Sequence, residues 1–516
     1  MINIRKLESE LWESADLLRS GSPLTSNQYC MPVLGLIFLR YAYSRFKLVE
    51  AEILKDRPSR GGRVMPVEAS DFTAKSALFL PKEAQYDYLL NLPDDISSTE
   101  LKNKDGHTMR SLGEVVNNAM SLIEEQSEQL VGILPKSYTD FADGILSELL
   151  RIFNNSALDE VGGDIIGRIY EYFLNKFAKS IASDDGMFFT PKSLVKMIVN
   201  ILEPKSGILL DPACGSGGMF IQSGDFVNEA GMNANSTMTF YGQEKTPYNA
   251  QLCLMNMAVH GLTGVIKAGE SANTFYHDAH NLDGRCDYVM ANPPFNLSNW
   301  GQEKLKDDVR WKYGLPPAGN ANYAWIQHMI HHLAPNGKIG LVLANGALSS
   351  QTSGEGDIRK NIIEADLVEG IVALPTQLFY SVTIPVTLWF ISMNKKQKGK
   401  TLFVDARNMG YMVNRKHRDF TDEDIQRLAD TFSSFQDGTL EDVKGFCAVV
   451  NTKKIEEQDY ILTPGRYVGI EVIEEDEEPF DEKMNRLTSE LSEMFKKSHE
   501  LEKEIRGKLG AIGYEI

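Results

Sequence analysis

The sequence predicts an α/β protein with a mostly parallel sheet, preceded by a helical N-terminal domain and followed by a helical C-terminal tail. From about residue 159 to residue 395, short runs of Val, Ile and Leu alternate with helical patterns, as in sheets whose strands are joined by crossover helices. Both flanks show helical periodicity instead. We therefore predict three parts, over residues 1–155, 156–465 and 466–516.

The candidate strands of the middle part are GILLDPA, TFYGQE, VIKAGES, DYVMANPP, KIGLVLA, VEGIVALP, VTLWFISM and TLFVDA. The basic segment KKQKGK, Lys395–Lys400, is predicted to be a turn between the last two. Beyond about Gly410 the pattern predicts only helix and loop. Apolar residues at near-heptad spacing after Phe480 predict a C-terminal helix that packs either on a partner helix or on this chain's own core.

Composition narrows the class of protein. The 516 residues include 53 Lys and Arg against 71 Asp and Glu, a formal charge of −18. This is the wrong sign for a chain that grips a polyanion unaided, so a nucleic-acid substrate would require local basic patches or a partner subunit. The longest apolar run, Val33–Leu39, is too short for a membrane span. Five scattered cysteines and no signal peptide predict a cytoplasmic protein.

A glycine-rich segment, Asp211–Gly218 (DPACGSGG), follows the first predicted strand. The segment has an acidic residue first and then Gly215, Gly217 and Gly218, which begin a helix. Such a pattern brings the backbone close to a ligand at the edge of a parallel sheet. By itself the segment would equally fit an ordinary tight turn or a dinucleotide site. Glu244 ends the next strand, where a carboxylate can accept hydrogen bonds from two ribose hydroxyls or remain solvated.

The segment Ala291–Asn296 (ANPPFN) directly follows the fourth predicted strand. Two prolines stiffen the turn and remove backbone donors, so the Asn292 amide and the Pro293 carbonyl point outward. Their oxygens could accept both hydrogens of an amino group on a base, which would leave the nitrogen lone pair free to attack. Phe295 offers a face on which an extruded base can stack. The order of glycine loop, acid and NPPF favours this catalytic interpretation over an ordinary loop.

With these motifs in this order, the chain resembles the modification subunits of type I restriction-modification systems, which are DNA adenine-N6 methyltransferases that use S-adenosylmethionine. The resemblance rests on the motifs FFTP, DPACGSGG and NPPF and covers roughly Gly162 to Met393, and the flanks GDIIGRIYEYFL and YILTPGRYVG are similar too. The resemblance implies a class I S-adenosylmethionine-dependent methyltransferase domain with a Rossmann-like sheet over residues 156–465. It also implies adenine rather than cytosine as the target.

The resemblance implies site residues at the positions that match the family's motifs. The catalytic residues would be Asn292, Pro293, Pro294 and Phe295. The cofactor-binding residues would come from the aromatic-Thr-Pro segment, the glycine loop and the ribose-binding acid: Met187, Phe188, Phe189, Thr190, Pro191, Lys192, Asp211, Ala213, Cys214, Gly215, Ser216, Gly217, Gly218 and Glu244. Phe188 stands where the family often has tyrosine.

The resemblance also implies partners. A specificity subunit would read double-stranded DNA, a second copy of this chain would join it, and a restriction or translocase subunit can be added. Residues 466–516 would form the partner-binding helical segment. The alternatives are a self-contained adenine-N6 DNA methyltransferase that recognises its own target and a non-catalytic module that retains the cofactor fold.

Three weaker features complete the sequence. Glu270 and Asn273 follow the third strand, where an adenine-edge contact or a capped loop would fit equally. His328, His331 and His332 share one helical face, but their helix offers no supporting carboxylate, so no metal site is predicted. A cytosine carbon-5 mechanism would need an attacking cysteine in a Pro-Cys setting, and neither Cys214 nor Cys286 has one.

Overall fold

The structure, a computed structural model, describes residues 4–56, 67–73, 75, 77–155, 167–177, 190–379, 384–470 and 480–511. The chain divides into two compact units, Met1–Val468 and Gly469–Ile516. Within the described ranges, no helix combines the length and apolarity needed to cross a membrane.

The N-terminal part is helical, as predicted. Its helices are α1 (Ile4–Ser20), α2 (Ser26–Asp56), α3 (Ala69–Thr73), α4 (Tyr86–Leu90), α5 (Leu112–Glu124), α6 (Asp143–Phe153) and α7 (residues 167–177). The apolar run Val33–Leu39 lies in α2 and is buried throughout. Gly35 is required there, because a Cβ would lie 2.3 Å from the Tyr138 hydroxyl oxygen. That hydroxyl donates to the Pro32 carbonyl of the same helix at 2.8 Å.

A nine-stranded sheet forms the centre of the second part, in the order β11-β8-β6-β7-β5-β4-β1-β2-β3. The strands are β1 (Gly207–Asp211), β2 (Met238–Glu244), β3 (Gly264–Ala268), β4 (Cys286–Ala291), β5 (Leu333–Ala344), β6 (Val368–Ala373), β7 (Val386–Ser392), β8 (Lys400–Asp405) and β11 (Cys447–Asn451). All eight predicted strands are present. Their largely parallel arrangement confirms the predicted fold class.

Strand direction departs from a wholly parallel sheet at two places. β7 runs antiparallel to both of its neighbours, β5 and β6, and β11 runs antiparallel to β8. The predicted turn at Lys395–Lys400 does connect β7 to β8 along the chain. The two strands are not neighbours in the sheet, however, because β6 lies between them.

Helices cover both faces of the sheet. They are α8 (Lys192–Leu202), α9 (Gly218–Glu229), α10 (Ala234–Thr237), α11 (Pro247–Val259), α12 (Asn322–His332), α13 (Glu355–Glu364), α14 (Asp422–Asp437) and α15 (Thr452–Glu456). One buried apolar core joins the sheet to α8, α9 and α14, and a second joins it to α12 and α13. The core of the N-terminal helices extends to Leu252, Met255 and Val259 of α11, so the N-terminal helices pack directly on the α/β part.

The prediction of only helix and loop beyond Gly410 is wrong in three places. A two-stranded antiparallel hairpin, β9 (Tyr411–Asn414) and β10 (His417–Asp419), precedes α14, and β11 adds an edge strand to the main sheet. Every residue of β9 is exposed, so this strand lacks the alternation of buried and exposed residues that reveals a strand in a sequence. The predicted C-terminal helix is present as α16 (Phe480–Ala511).

Candidate functional site

The sequence motifs meet at one edge of the sheet. β4, β1 and β2 are parallel neighbours, so their carboxyl ends lie side by side. The glycine loop follows β1, Glu244 ends β2 and Asn292 follows β4. The carboxyl edge of a parallel α/β sheet is where ligands of this architecture bind.

The glycine loop is held open by backbone geometry that requires glycine. Gly215 has φ +52° and Gly217, which precedes α9, has φ +82°. A Cβ on Gly217 would lie 2.8 Å from the Cys253 sulfur, whereas a Cβ on Gly215 would meet no atom within 4 Å. The loop therefore packs tightly on α11 at Gly217 and leaves open space beside Gly215.

Glu244 and the glycine loop are joined directly. The Gly215 N–H donates to Glu244 Oε2 at 2.9 Å, and the Thr246 N–H donates to Oε1 at 2.8 Å. Each carboxylate oxygen has a second lone pair, and the side chain is only partly buried. Glu244 is thus fixed in place while it keeps the capacity to accept further hydrogen bonds.

Asp211 lies beneath the loop and is 2% exposed. Its Oδ1 accepts the Ala213 N–H at 3.0 Å. Burial, opposed by the Ala213 hydrogen bond and aided by the nearby Glu244 charge, raises the pKa of this carboxyl to about 8. Burial therefore favours the protonated form of Asp211.

Asn292 has one end of its amide anchored and the other free. Its Nδ2 donates to Thr190 Oγ1 at 3.0 Å, which joins two predicted motifs about a hundred residues apart in the sequence. Its Oδ1 is buried and has no hydrogen-bond partner among the residues that the structure describes. A buried amide oxygen without a partner is costly, so this atom is a strong candidate to accept a ligand's N–H.

The rest of the NPPF turn is fixed from two sides. The Phe295 ring packs edge-on against Phe379 with centroids 5.8 Å apart. Asn296 adopts φ +52° and forms two hydrogen bonds with the fully buried Asn322 of α12. The Asn296 N–H donates to Asn322 Oδ1 at 3.1 Å, and Asn322 Nδ2 donates to Asn296 Oδ1 at 2.9 Å. The sequence analysis missed Asn322, since nothing in the pattern links it to a turn 26 residues earlier.

The aromatic-Thr-Pro segment is only partly described. Met187, Phe188 and Phe189 lie outside the described residues. Pro191 directly precedes α8, and Thr190 contacts Asn292 as above. The Lys192 ammonium forms an ion pair with Glu171 of α7, so this predicted cofactor residue is engaged with the N-terminal helices.

A cluster of aromatic residues supports the loop from the other side, and the sequence analysis did not identify it. Phe275, Trp300, Trp311 and Trp325 pack together, and Ala213 packs against them. The Phe275 and Trp325 rings are 4.4 Å apart. Isolated tryptophans carry no spacing signal, so only tertiary structure assembles them.

Polar contacts tie this cluster to the glycine loop. Thr274 Oγ1 donates to the Pro212 carbonyl at 2.5 Å. The Arg310 guanidinium donates to the Thr274 and Phe275 carbonyls at 3.1 and 2.6 Å and forms an ion pair with Asp308 at 2.7 Å. The segment after β3 and the segment after β4 are thereby locked to the loop after β1.

The cysteine near the site is buried. Cys214 is 5% exposed, and a hydrogen bond with Cys253 together with burial holds the pKa of its thiol well above the usual range. Cys286 lies at the start of β4, away from the carboxyl edge, and burial raises its pKa to about 12. Neither thiol is poised to act as a thiolate nucleophile.

Two weaker candidates have structural explanations. Asn273 Oδ1 accepts the Phe275 N–H at 3.3 Å, and the exposed Glu270 forms an ion pair with Lys245 at 3.5 Å. These contacts match the capped-loop interpretation of Glu270 and Asn273.

Of the three predicted histidines on α12, His331 and His332 face carboxylates that come from the segment between β3 and β4, whereas His328 Nδ1 lies 3.0 Å from a guanidinium nitrogen of Arg310. His331 Nε2 lies 3.0 Å from Asp283 Oδ2, and His332 Nε2 lies 3.4 Å from Asp283 Oδ1 and 3.7 Å from Asp278 Oδ2. Hydrogen bonding to His332 lowers the pKa of Asp278 to about 2. Asp278, Asp283 and His332 are close enough to share an ion, so the segment between β3 and β4 supplies the carboxylates that α12 itself does not offer.

Comparisons with known proteins identify the family of the chain. The family model described as N-6 DNA Methylase matches residues 161–476, and the model described as HsdM N-terminal domain matches residues 7–152. The chain is 46% identical over 424 residues to the type I restriction enzyme HindI methylase subunit of Haemophilus influenzae, covering 80% of this chain and 95% of that protein. It is 39% identical to the MjaIX methylase subunit of Methanocaldococcus jannaschii, covering 99% of this chain and 92% of that protein.

A solved structure shares the fold. The methyltransferase subunit of a type I restriction-modification system from Streptococcus thermophilus matches with a TM-score of 0.73 at 22% identity, over 91% of this chain and 100% of that chain. The family models cover both the helical and the α/β parts, and the relatives match over most of their own length. The chain therefore belongs to the N-6 DNA methylase family, among the methylase subunits of type I restriction enzymes.

Proposed function

We propose that this methylase subunit transfers the methyl group of S-adenosylmethionine to the N6 amino group of an adenine turned out of double-stranded DNA, at a site read by a separate specificity subunit. The observation that carries the proposal is the Asn292 amide, with Nδ2 held by Thr190 and Oδ1 buried without a partner among the described residues. It lies at the same sheet edge as the glycine loop.

The residues at this edge fit the cofactor. The space beside Gly215 is open, Glu244 retains acceptor capacity for ribose hydroxyls, and Asp211 can respond to a cation by losing its proton. When bound, S-adenosylmethionine supplies a methyl group on a positively charged sulfur. We propose as its binding set the aromatic-Thr-Pro segment and the glycine loop together with Glu244.

The chain's own residues would act on the adenine. Asn292 Oδ1 accepts one N6 hydrogen and the Pro293 carbonyl accepts the other, which concentrates the lone pair on the nitrogen. Phe295, braced against Phe379, stacks on the base and aligns the nitrogen with the methyl carbon. Alignment of the two reactants supplies most of the rate enhancement, and no covalent enzyme intermediate forms.

The substitution Asn292→Ala tests the catalytic assignment. We expect turnover to fall at least about 10³-fold, because the acceptor that acts on the transferring group is lost, while the dissociation constant for S-adenosylmethionine changes less than about 2-fold. The measurement is transfer of labelled methyl to unmethylated DNA, followed by nucleoside digestion. Asn336→Ala, at an exposed position at the opposite edge of the sheet, is the control. Unchanged turnover in Asn292→Ala would refute the assignment.

We further propose that α16 binds a partner subunit. Its exposed apolar side chains repeat along the helix at Met484, Leu487, Leu491, Met494, Leu501 and Ile505, the spacing of a helix that packs against another helix. Deletion of residues 480–516 should abolish co-purification with the specificity subunit and preserve cofactor binding. Retained co-purification would contradict this role.

The alternative is a self-contained adenine-N6 DNA methyltransferase. The two are separated by assaying the full chain alone and with the specificity subunit encoded beside it. Methyladenine that forms only with the partner supports the proposal. Methyladenine at defined sites with the lone chain would assign target recognition to this chain.

A further inference from the structure

The β9–β10 hairpin projects from the edge of the sheet that carries the site. β8 runs parallel to β6, and β6 has the same direction as β5, β4 and β1 because β7 is antiparallel to both of its neighbours. The chain leaves β8 at its carboxyl end, where the Ala406 N–H donates to Ala373 at the end of β6 at 2.9 Å. The hairpin follows directly.

Short contacts connect the hairpin to the NPPF turn. The Arg418 N–H donates to the Gln377 carbonyl at 2.9 Å, and Gln377 Nε2 donates to the Arg415 carbonyl at 3.4 Å. Two residues after Gln377, the Phe379 ring packs on Phe295. The same loop after β6 thus holds the base of the hairpin and the aromatic residue of the catalytic turn.

The hairpin is basic in an acidic chain. Residues 411–419 contain Arg415, Lys416 and Arg418 against one acid, Asp419, whereas the whole chain has a formal charge of −18. Arg407 is paired with Asp405, and Arg418 donates to the Met409 carbonyl at the base of the hairpin. Arg415 and Lys416 at the turn are exposed and form no ion pair with any residue in the described ranges.

The hairpin also exposes apolar groups. Tyr411, Met412 and Val413 are 49%, 42% and 50% exposed. Two-stranded antiparallel ribbons are narrow enough to enter a DNA groove, and Lys and Arg beside a groove supply phosphate contacts.

We propose that the β9–β10 hairpin is a DNA contact, with Arg415 and Lys416 binding phosphates of the duplex beside the target adenine. This inference rests on the proposed function, since it is the adenine held at Asn292 that brings the duplex to this edge. The hairpin is the kind of local basic patch that an acidic chain requires to approach DNA. A protein surface is the competing occupant of the same exposed residues.

The test compares two double substitutions that remove the same charge. Arg415→Ala with Lys416→Ala changes the hairpin, and Lys453→Ala with Lys454→Ala changes two exposed lysines on α15. α15 follows β11, which is antiparallel to β8, so the control lysines lie at the opposite edge of the sheet. Each full-length variant is assembled with the specificity subunit and assayed on unmethylated plasmid DNA.

We expect the hairpin variant to raise the KM for DNA about 10-fold at moderate salt, with kcat within about 2-fold of the unsubstituted protein. The slope of log affinity against log salt should decrease by roughly 1.8, since each phosphate contact contributes about 0.9. The control variant should match the unsubstituted protein. Filter binding of the same plasmid should show the same loss of affinity and the same change of slope, and it requires no methyl transfer.

Unchanged KM, binding and salt slope in the hairpin variant would overturn the inference. Loss of the specificity subunit from that variant on size-exclusion chromatography would overturn it in favour of a protein contact. Failure of the proposed function looks different, because the unsubstituted complex itself would then form no methyladenine. Filter binding would still decide the role of the hairpin in that case.

Discussion

Polar groups at the two edges of the central sheet differ in whether they have hydrogen-bond or ion-pair partners. At the edge where β1 and β4 begin, the Asp287 carboxylate accepts the Ile208 N–H at 2.8 Å. At the same edge Lys395, 3% exposed, forms an ion pair with Asp366 at 2.6 Å. At the carboxyl edge, by contrast, Asn292 Oδ1 is buried without a partner among the described residues.

This difference indicates which polar groups of the sheet stabilise the fold and which ones serve function. Polar groups at the first edge satisfy one another and therefore stabilise the fold. At the carboxyl edge, folding alone does not explain why the buried Asn292 Oδ1 lacks a partner among the described residues, and such atoms concentrate at functional sites. Substitutions at the two edges should therefore affect different measurements.

The largest effect on stability at neutral pH is expected at the stabilising edge. Asp366→Ala should lower the free energy of unfolding by about 3 kcal/mol, because it leaves the Lys395 ammonium buried without its partner. Chemical denaturation measures this. The activity per folded molecule should remain unchanged. Asp437→Ala removes the exposed Lys396–Asp437 pair and should change stability by less than about 0.5 kcal/mol. Equal effects of the two variants would contradict the comparison.

Gly217→Ala should weaken cofactor binding about 30-fold, equivalent to ~2 kcal/mol. The new methyl group would have to displace either the Cys253 side chain or the loop. Calorimetric titration with S-adenosylmethionine measures this. Gly231→Ala is the matched control, because Gly231 has φ +78° and open space around it. If both substitutions weaken cofactor binding equally, the contact between position 217 and Cys253 does not determine the affinity for the cofactor.

Asn322→Ala should lower kcat about 10-fold, since a small displacement of a reacting group costs this much or more. Asn322 is a positioning residue that acts through Asn296, so the affinity for S-adenosylmethionine should stay within about 2-fold. Combining it with Asn296→Ala should add little further loss, because the two side chains act as one unit. Independent, additive losses would show that the pair does not position the turn.

The most gradual effect concerns pH. The pKa of Asp211 is about 8 in the folded protein and about 3.9 when unfolded. The folded state thus binds the extra proton between these values, and its contribution to stability declines as pH rises from about 4 to 8. Asp211→Asn should remove this decline, gaining about 1 kcal/mol per pH unit relative to the unsubstituted protein between pH 5 and pH 8. Parallel pH profiles of unfolding free energy would contradict the raised pKa.

Much of the architecture could be predicted because it depends on local pattern. The eight apolar runs and the amphipathic helices show the spacing of buried residues that each type of element requires. The glycine loop, Glu244 and NPPF each come at the end of a predicted strand. β9 was not predicted because all its residues are exposed. β11 was not predicted because its short apolar run lies far from the region where strands and helices alternate, and it resembles a buried loop. The division at residues 155 and 465 and the roles of the individual site residues remain predictions.

The sequence by itself determined the fold class, the family and the order of the motifs, because these depend on residues that are close in the chain. Only the tertiary structure decided which distant groups meet. It brought Thr190 to Asn292, Asn322 to Asn296, and Asp278 and Asp283 to the histidines of α12. It also placed a basic hairpin beside Phe379. Such contacts depend on strand order and direction, which the spacing of apolar residues does not encode.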